Sequence, residues 1–256
     1  MWTDVVLQDA SGVTARSLDG DTVLPKYDYV ISLHQLAQDL SNSPRIHRDD
    51  NWLRVPFGSK ILFEEKEKAK NALAVLNEAL ELIALWQPSL LDEIKLISPE
   101  IQFIRDLSAD PNKIVSFSDN SVPGALYVSV FQKGKLVEPH DLADSIIHEH
   151  RHQKLYLLQR EVSLIEADVP LVYSPWRDDL RPPSGLLHAI YVFAYLKGFW
   201  SFLITNGKSE HLRNRAKLER ELTQQRLNEG FPILKQTALT PAGKDLVIAL
   251  EKLASI

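Results

Sequence analysis

The sequence has 256 residues, of which 45% are apolar and 25% are charged, with a formal net charge of −5 at pH 7. These proportions are ordinary for a globular protein with a substantial core, and the acidic balance argues against a protein that binds nucleic acid. Because the chain has no cysteine, disulfides and thiolate metal sites are excluded. His, Asp and Glu are then the side chains left to hold a metal ion.

The N-terminal hundred residues predict helices that follow an irregular lead-in over residues 1–24. Apolar residues recur at helical spacing over residues 27–40. Residues 59–86 are rich in Glu, Lys, Ala and Leu and contain neither Gly nor Pro, which predicts a long helix. Residues 51–57 predict a loop or a short strand, and residues 89–97 predict another short helix.

Three short runs then predict a small β-sheet, because each contains β-branched or aromatic residues and is bounded by turn residues. They cover residues 101–107, 113–117 and 125–130. The last of these runs could be an edge strand, and an edge strand can pair with an extended peptide.

The rest of the chain predicts helices over residues 138–160, 185–206 and 209–228, and a final helix that begins at Thr240-Pro241. Pro139 near the start of the first of these helices suits a helix N-terminus. A charged, Pro-rich loop over residues 173–184 leads into the second helix.

The most apolar stretch, residues 186–204, is long enough to be mistaken for a membrane span. His188 and Lys197 interrupt it, and this favours a buried core helix over a span. The N-terminus lacks a basic region followed by an apolar stretch, so no signal peptide is predicted. We therefore expect a cytoplasmic protein that has no contact with a membrane.

One segment, His148-Glu149-His150-Arg151-His152, has the pattern H-E-x-x-H inside a predicted helix. Residues four apart lie on one helix face, so the imidazoles of His148 and His152 can share one ion at about 2.0–2.1 Å. Glu149 lies about 100° round the helix and can reach a metal-bound water or orient a ligand. We expect His150 to point away, in a supporting position or at the surface. The alternative is a solvated helix that happens to be rich in histidine.

A site with two histidines needs a third ligand, and the sequence offers Glu161, Glu166 and His188. Glu166 suits a zinc peptidase that uses a downstream glutamate. His188 is the only strongly polar residue at the start of the apolar helix. Most such histidines are hydrogen-bonded core residues, but here a partner site already exists, which favours ligation by His188.

Together these elements predict an α+β fold that is predominantly helical. We expect a single domain over residues 1–256, with a small β-sheet preceding the metal-binding helix. Residues 1–100 would be a helical N-terminal part, residues 101–206 the small sheet with the metal-binding helices, and residues 207–256 the C-terminal helices.

Two blocks of sequence resemble a known family. They are HEHRHQKL at residues 148–155 and SPWRDDLRPPSGLLH at residues 174–188. The upstream runs SFS at residues 116–118 and PGALYVS at residues 123–129 are similar as well. Together they resemble the H-E-x-x-H motif-containing peptide-modification proteins of bacterial ribosomal-peptide natural product clusters. The resemblance covers roughly residues 113–200 and is more specific than H-E-x-x-H alone.

The resemblance implies an iron(II), α-ketoglutarate-dependent oxygenase that hydroxylates a side-chain β-carbon of a precursor peptide. Carried onto this chain, His148, His152 and His188 would hold the iron, and the open positions would take α-ketoglutarate and O₂. The usual iron(II) oxygenase has two histidines and one carboxylate. A set of three histidines departs from that pattern, so Glu166 stays open as the third ligand.

α-Ketoglutarate is a dianion, and its far carboxylate needs a cationic anchor. An Arg side chain suits that carboxylate because it can donate two parallel hydrogen bonds. Arg181 and Arg177 lie in the loop before His188, and Lys154 follows His152, so all three are candidates for cofactor binding. The alternative for each Arg is a surface ion pair with a neighbouring Asp.

The role of Glu149 separates the rival functions. In an oxygenase Glu149 would hold a histidine or a water, because the reaction needs no general base. In a zinc metallopeptidase, the alternative function, Glu149 would be the catalytic general base that activates water. A third reading is a helper protein that kept the fold without activity, which the intact His148, Glu149 and His152 argue against. Beyond the peptide substrate and O₂, the sequence indicates no partner.

Overall fold

The computed structural model describes residues 51–255 and, before them, the backbone of residues 21–23, 30–32 and 45–46. The chain divides into two compact units, one ending at Lys154 and one beginning at Leu155. The prediction of a single domain stays a prediction.

The first unit begins with short strands. Strands β1 (Asp21–Val23) and β2 (Val30–Ser32) form an antiparallel pair, and β3 (Arg45–Ile46) joins the main sheet. The helix predicted over residues 27–40 is therefore wrong at β2, where strand pairing prevails over the helical spacing. The remainder of that predicted helix lies outside the described residues.

A 3-10 helix and two α-helices follow in the first unit. The 3-10 helix covers Asn51–Arg54, where a loop or strand was predicted. Strand β4 (Ile61–Phe63) takes the start of the long helix predicted from residue 59, so helix α1 covers only Lys66–Trp86. Pro88 opens helix α2 (Pro88–Ile97), in agreement with the preference of proline for the first helical turn.

Five strands follow in the first unit: β5 (Glu100–Asp106), β6 (Ser116–Ser118), β7 (Ala125–Ser129), β8 (Phe131–Gln132) and β9 (Lys135–Leu136). Strands β5 and β7 pair in parallel, and β6 pairs with β7 antiparallel. The main sheet has the order β3-β5-β7-β6, with β4 pairing β5 off this path. Strand β7 therefore lies inside the sheet, and the expectation that residues 125–130 form its edge is wrong.

The two central strands of the sheet are buried. Every residue of β7 is buried, as are the first five residues of β5, which is typical of parallel strands covered on both faces. The two buried polar residues of β5 bind each other, since Nε2 of Gln102 donates to a carboxylate oxygen of Glu100 at 3.2 Å. On one side the rings of Phe57, Phe117 and Tyr127 pack together, with a centroid distance of 4.6 Å between the stacked rings of Phe117 and Tyr127. Tyr127 also donates its hydroxyl hydrogen bond to the carbonyl of Leu53.

Helix α3 (Pro139–Glu161) begins in the first unit and continues past the boundary at residue 154. Pro139 suits the first turn, and Asp141 places a negative charge at the positive end of the helix dipole. The structure thus confirms the helix predicted over residues 138–160, to within a residue at each end.

The second unit contains three further helices: α4 (Pro183–Asn206), α5 (Glu210–Lys235) and α6 (Pro241–Ser255). Their apolar faces form one core cluster. Helix α5 continues to Lys235, beyond the predicted end at residue 228. Because Gly230 has no side chain, Trp176 and Ile190 can pack closely against the helix backbone at this position. A Cβ at Gly230 would stand 3.2 Å from Cζ3 of Trp176 and 3.3 Å from Cδ1 of Ile190.

Helix α4 is long and apolar enough, by length and composition alone, to cross a membrane. Of its most apolar window, 67% is buried inside the protein, which supports the core helix that the sequence predicted. With six α-helices among the described residues and one small main sheet ahead of α3, the fold is α+β and predominantly helical, as predicted.

Candidate metal centre

The seven residues His148 to Lys154 of helix α3 divide among three faces of the helix. Successive residues are about 100° apart, so residues three or four apart share a face. His148 and His152 share the first face, which we call the imidazole face. Glu149 and Gln153 share the second. The third carries the remaining residues of this segment, His150, Arg151 and Lys154.

On the imidazole face the two rings converge. The Nε2 atoms of His148 and His152 are 3.2 Å apart, and the ring centroids are 4.9 Å apart with an angle of 62° between the planes. Two nitrogens that each lie about 2.0–2.1 Å from one ion are about 3 Å apart, so the pair has the spacing of two ligands to a single metal. Both side chains are half-buried.

Burial also sets the charge of His148. It lowers the pKa of His148 to about 4, so the ring is neutral at neutral pH. Neutral imidazole is the form that binds a metal ion, because the ligand nitrogen must carry a free lone pair. A ring that is already neutral has no proton to release when the ion binds.

The second face ties helix α3 to the sheet through Glu149. The hydroxyl of Ser116 donates to Oε1 of Glu149 at 2.7 Å, and the hydroxyl of Ser118 donates to Oε2 at 3.0 Å. Burial raises the pKa of Glu149 to about 7, although these hydrogen bonds act to lower it. The carboxyl group is fully enclosed and both of its oxygens are engaged by strand β6.

Gln153, one turn further along the same face, binds the loop before β7. Its Oε1 accepts from the backbone N–H of Gly124 at 3.0 Å, and its Nε2 donates to the carbonyl of Asp119 at 3.2 Å. Gly124 has a φ of +84°, which a residue with a side chain rarely adopts. Glu149 and Gln153 together fix this face of α3 against β6 and β7.

The third face meets a single carboxylate from helix α2. Oε1 of Glu93 lies 3.0 Å from Nε2 of His150, 3.0 Å from a guanidinium nitrogen of Arg151 and 2.8 Å from Nζ of Lys154. On the other side of its ring, Nδ1 of His150 lies 2.9 Å from the hydroxyl of Ser98. All five side chains are buried. We call these five residues the Glu93 cluster.

Charge explains the protonation states within the cluster. Burial by itself would raise the pKa of Glu93, but the charge of Arg151, the hydrogen bond from His150 and the charge of Lys154 hold it well below its usual range. Burial lowers the pKa of His150 to about 4. The network is therefore satisfied by a neutral ring that donates from Nε2 to Glu93 and accepts at Nδ1 from Ser98. His150 belongs to the core, and its predicted alternative at the surface is wrong.

Lys154, one of the three predicted anchors for α-ketoglutarate, is part of this cluster and fully buried. Arg181 forms an ion pair with Asp179, at 3.3 Å between Nε and Oδ2, and its side chain is 39% exposed. Arg177 is exposed as well. The anchor of a dianionic co-substrate stays a prediction for all three residues.

His188 lies in the second turn of α4, in the second unit. Its Nε2 is 2.8 Å from Oε1 of Gln159, and its ring packs against Tyr156 with 4.7 Å between centroids. Burial lowers the pKa of His188 to about 4. Glu161 and Glu166 are exposed.

Within the described part of the chain, no three His, Asp or Glu side chains stand as a ready group around one ion. The structure thus brings together the two histidines of the motif. A third ligand, whether His188 or Glu166, stays a prediction.

Two of the contacts that anchor helix α3 leave a signal in the sequence. Glu93 shares helix α2 with the buried Leu90, Ile94 and Ile97, so it is a charge on an apolar stripe, which calls for a buried partner. Ser116 and Ser118 alternate in a strand-forming run, and this places both hydroxyls on one face of the strand. Neither signal names the partner, because each partner lies more than 30 residues away.

Comparison of the sequence with models of known protein families gave no match. A search among curated proteins gave no match either.

Proposed function

We propose that this protein is an iron(II), α-ketoglutarate-dependent oxygenase that hydroxylates a side-chain β-carbon of a ribosomally made peptide. The observation that carries the proposal is the convergence of Nε2 of His148 and Nε2 of His152 to 3.2 Å. The substrate class and the co-substrate follow from the family resemblance of residues 113–200. The third ligand is the one that the resemblance implies, His188, with Glu166 as the alternative.

The donor set fits the ion. Neutral imidazoles suit iron, zinc, copper and nickel, and a pair of histidine ligands occurs both in iron(II) oxygenases and in zinc enzymes. When bound, iron(II) would activate O₂, the oxidant, with α-ketoglutarate as the electron-donating co-substrate: one oxygen atom would be inserted into a C–H bond of the peptide, and the other would be incorporated into succinate as CO₂ is released.

The residues of the chain then have distinct tasks. His148 and His152 bind the ion, and their rings are held in place because the other two faces of α3 are anchored. Glu149 accepts hydrogen bonds from two serines and fixes the helix to strand β6. Such support of the ligand-bearing element commonly sustains metal affinity.

The position of Glu149 favours an oxygenase over the zinc metallopeptidase. A peptidase needs this carboxylate to take a proton from a metal-bound water. Here both carboxylate oxygens accept from serine hydroxyls of β6, and the residue is 3% exposed. One observation favours the peptidase: a pKa of about 7 suits a general base.

The test loads metal-free protein with iron(II) under nitrogen, adds α-ketoglutarate and then admits O₂. We expect a weak visible charge-transfer band on adding α-ketoglutarate and then the formation of succinate. His152→Ala should abolish metal binding and the band. His211→Ala, which removes an exposed imidazole from helix α5, is the matched control and should change neither.

A second set of results would instead identify the protein as a zinc metallopeptidase. Tight zinc binding, no response to α-ketoglutarate, and peptide cleavage that Glu149→Gln abolishes would establish the peptidase instead. A co-expressed peptide that gains the mass of one oxygen atom, seen by mass spectrometry, would confirm hydroxylation directly.

A further inference from the structure

Strand β6 is the last strand of the main sheet among the described residues. One of its edges pairs with β7, in the register Ser116 to Val128, Phe117 to Tyr127 and Ser118 to Leu126. No described strand pairs with its other edge, which we call the outer edge of β6. Unpaired edges of this kind present a row of backbone N–H and C=O groups.

The register shows which backbone groups face the outer edge. The N–H of Ser129 donates to the carbonyl of Val115 at 2.8 Å, so these opposite residues form a hydrogen-bonded pair. Hydrogen-bonded and non-hydrogen-bonded pairs alternate along an antiparallel ladder, so the next hydrogen-bonded pair is Phe117 with Tyr127. The backbone N–H and C=O groups of Ser116 and Ser118 therefore point to the outer edge.

Both faces of this short strand are fixed. The hydroxyls of Ser116 and Ser118 bind Glu149, the residue that follows His148. On the opposite face, Phe117 stacks on Tyr127 at 4.6 Å. The outer edge is thus held in an extended conformation beside the helix that carries the two histidines, and a pre-ordered edge loses little conformational freedom when it pairs with a ligand.

We propose that an extended segment of the peptide substrate binds as an added strand along the outer edge of β6, by backbone hydrogen bonds to Ser116 and Ser118. Alternating donors and acceptors on a β-edge are complementary to the backbone of another extended chain, which identifies the occupant as a polypeptide. That this polypeptide is a substrate rests on the function proposed above.

The pairing also predicts which residues of the peptide can be modified. Side chains directly opposite each other on neighbouring strands point to the same face of a sheet. Peptide residues opposite Ser116 and Ser118 therefore direct their side chains to the face that α3 covers, and the residues between them point to the face of Phe117. Only every second residue of the bound segment therefore points its side chain to the side of the sheet on which α3 lies.

The protein-side test compares Ser116→Pro with Ser116→Ala. Both variants lose the hydroxyl that binds Glu149, but only proline removes the N–H that faces the outer edge. Proline is tolerated on an edge strand when its missing N–H faces outward. The probe is a set of twelve-residue peptides selected from a random displayed library on the wild-type protein, in the absence of α-ketoglutarate and O₂. We expect Ser116→Pro to bind them about tenfold or more weakly than Ser116→Ala.

The peptide-side test stands even if Ser116→Pro fails to fold. Each selected peptide is synthesised with a single N-methyl group at successive positions. Added-strand binding predicts losses of affinity at every second position. Losses at a spacing of three and four residues, no periodicity, or no selected peptide at all would overturn the proposal.

Two further readouts separate the outcomes. Peptides that bind with a period of two to a protein that forms no succinate contradict the proposed function and leave the edge proposal standing. Succinate formation with equal peptide binding by Ser116→Pro and Ser116→Ala contradicts the edge proposal alone. If Ser116→Pro instead turns a dimer into a monomer in sedimentation, a second copy of the chain occupies the edge, and the proposal is overturned.

Discussion

Helix α3 is anchored on two faces by two carboxylates with opposite environments. Glu93 meets Arg151, His150 and Lys154, and its pKa is held well below the usual range. Glu149 is equally buried but meets only serine hydroxyls, and burial raises its pKa to about 7. Because both groups hold the same helix, the comparison shows that an anchor can be either a cluster of opposite charges or one carboxyl group hydrogen-bonded to two serine hydroxyls.

The largest loss of stability should follow the removal of Glu93. Glu93→Ala leaves two buried cations without their shared carboxylate, and loss of one partner from a buried pair costs about 3–5 kcal/mol. Urea unfolding would measure the free energy of unfolding. Glu67→Ala, at an exposed position of helix α1, is the control and should change it by less than about 0.5 kcal/mol. A loss below about 1 kcal/mol with Glu93→Ala would mean that the cluster contributes little net stability.

Glu93 should make the free energy of unfolding depend on pH in the acid range. Its pKa in the folded protein lies below the unfolded value of 4.5, so its contribution is present above pH 4.5 and is lost as the pH falls toward the folded value. The slope for one such proton is at most about 1.4 kcal/mol per pH unit. Glu93→Gln should flatten the decline measured by urea unfolding on the acid side of pH 4.5. An equal slope in wild type and variant would assign the acid sensitivity to other groups.

The contacts that anchor helix α3 could not be predicted from the sequence, although the helix itself could. Helical spacing and H-E-x-x-H were enough to predict α3 and the facing imidazoles of His148 and His152, because both are local properties of one helix. The hydrogen bonds of Glu149 with Ser116 and of Glu93 with His150 depend on elements that are distant in the chain. Helical spacing also misassigned β2, since strand pairing is a tertiary effect that short-range periodicity does not record.

The second anchor should be less sensitive than the first. Glutamine keeps the size of Glu149, can accept from one serine and can donate to the other, and carries no charge to be desolvated. We expect Glu149→Gln to change stability by less than about 1 kcal/mol, to keep the metal and to lower oxygenase turnover only in part. Complete loss of turnover with the metal retained would point to a general base and so to the peptidase.

The smallest effect on stability should come from an exposed ion pair. Arg181 and Asp179 are 3.3 Å apart, with side chains 39% and 66% exposed, and pairs of this kind contribute about 0–1 kcal/mol. Arg181→Ala should therefore leave the unfolding free energy nearly unchanged. If Arg181 anchors the co-substrate, the variant should also need more α-ketoglutarate for half-maximal succinate formation while it keeps its metal. If the α-ketoglutarate concentration for half-maximal succinate formation is unchanged, the anchor is Arg177 or Lys154 instead.

The Glu93 cluster also constrains the two positions of H-E-x-x-H that the motif leaves variable. His150 and Arg151 occupy them, and both are as inaccessible as the leucines of the core. An exchange at Glu93 therefore restricts which residues evolution can accept at His150, Arg151 and Lys154, so these four positions should covary in diverged copies of the gene. A sequence pattern for this helix should therefore include Glu93, which lies 57 positions before His150, together with H-E-x-x-H.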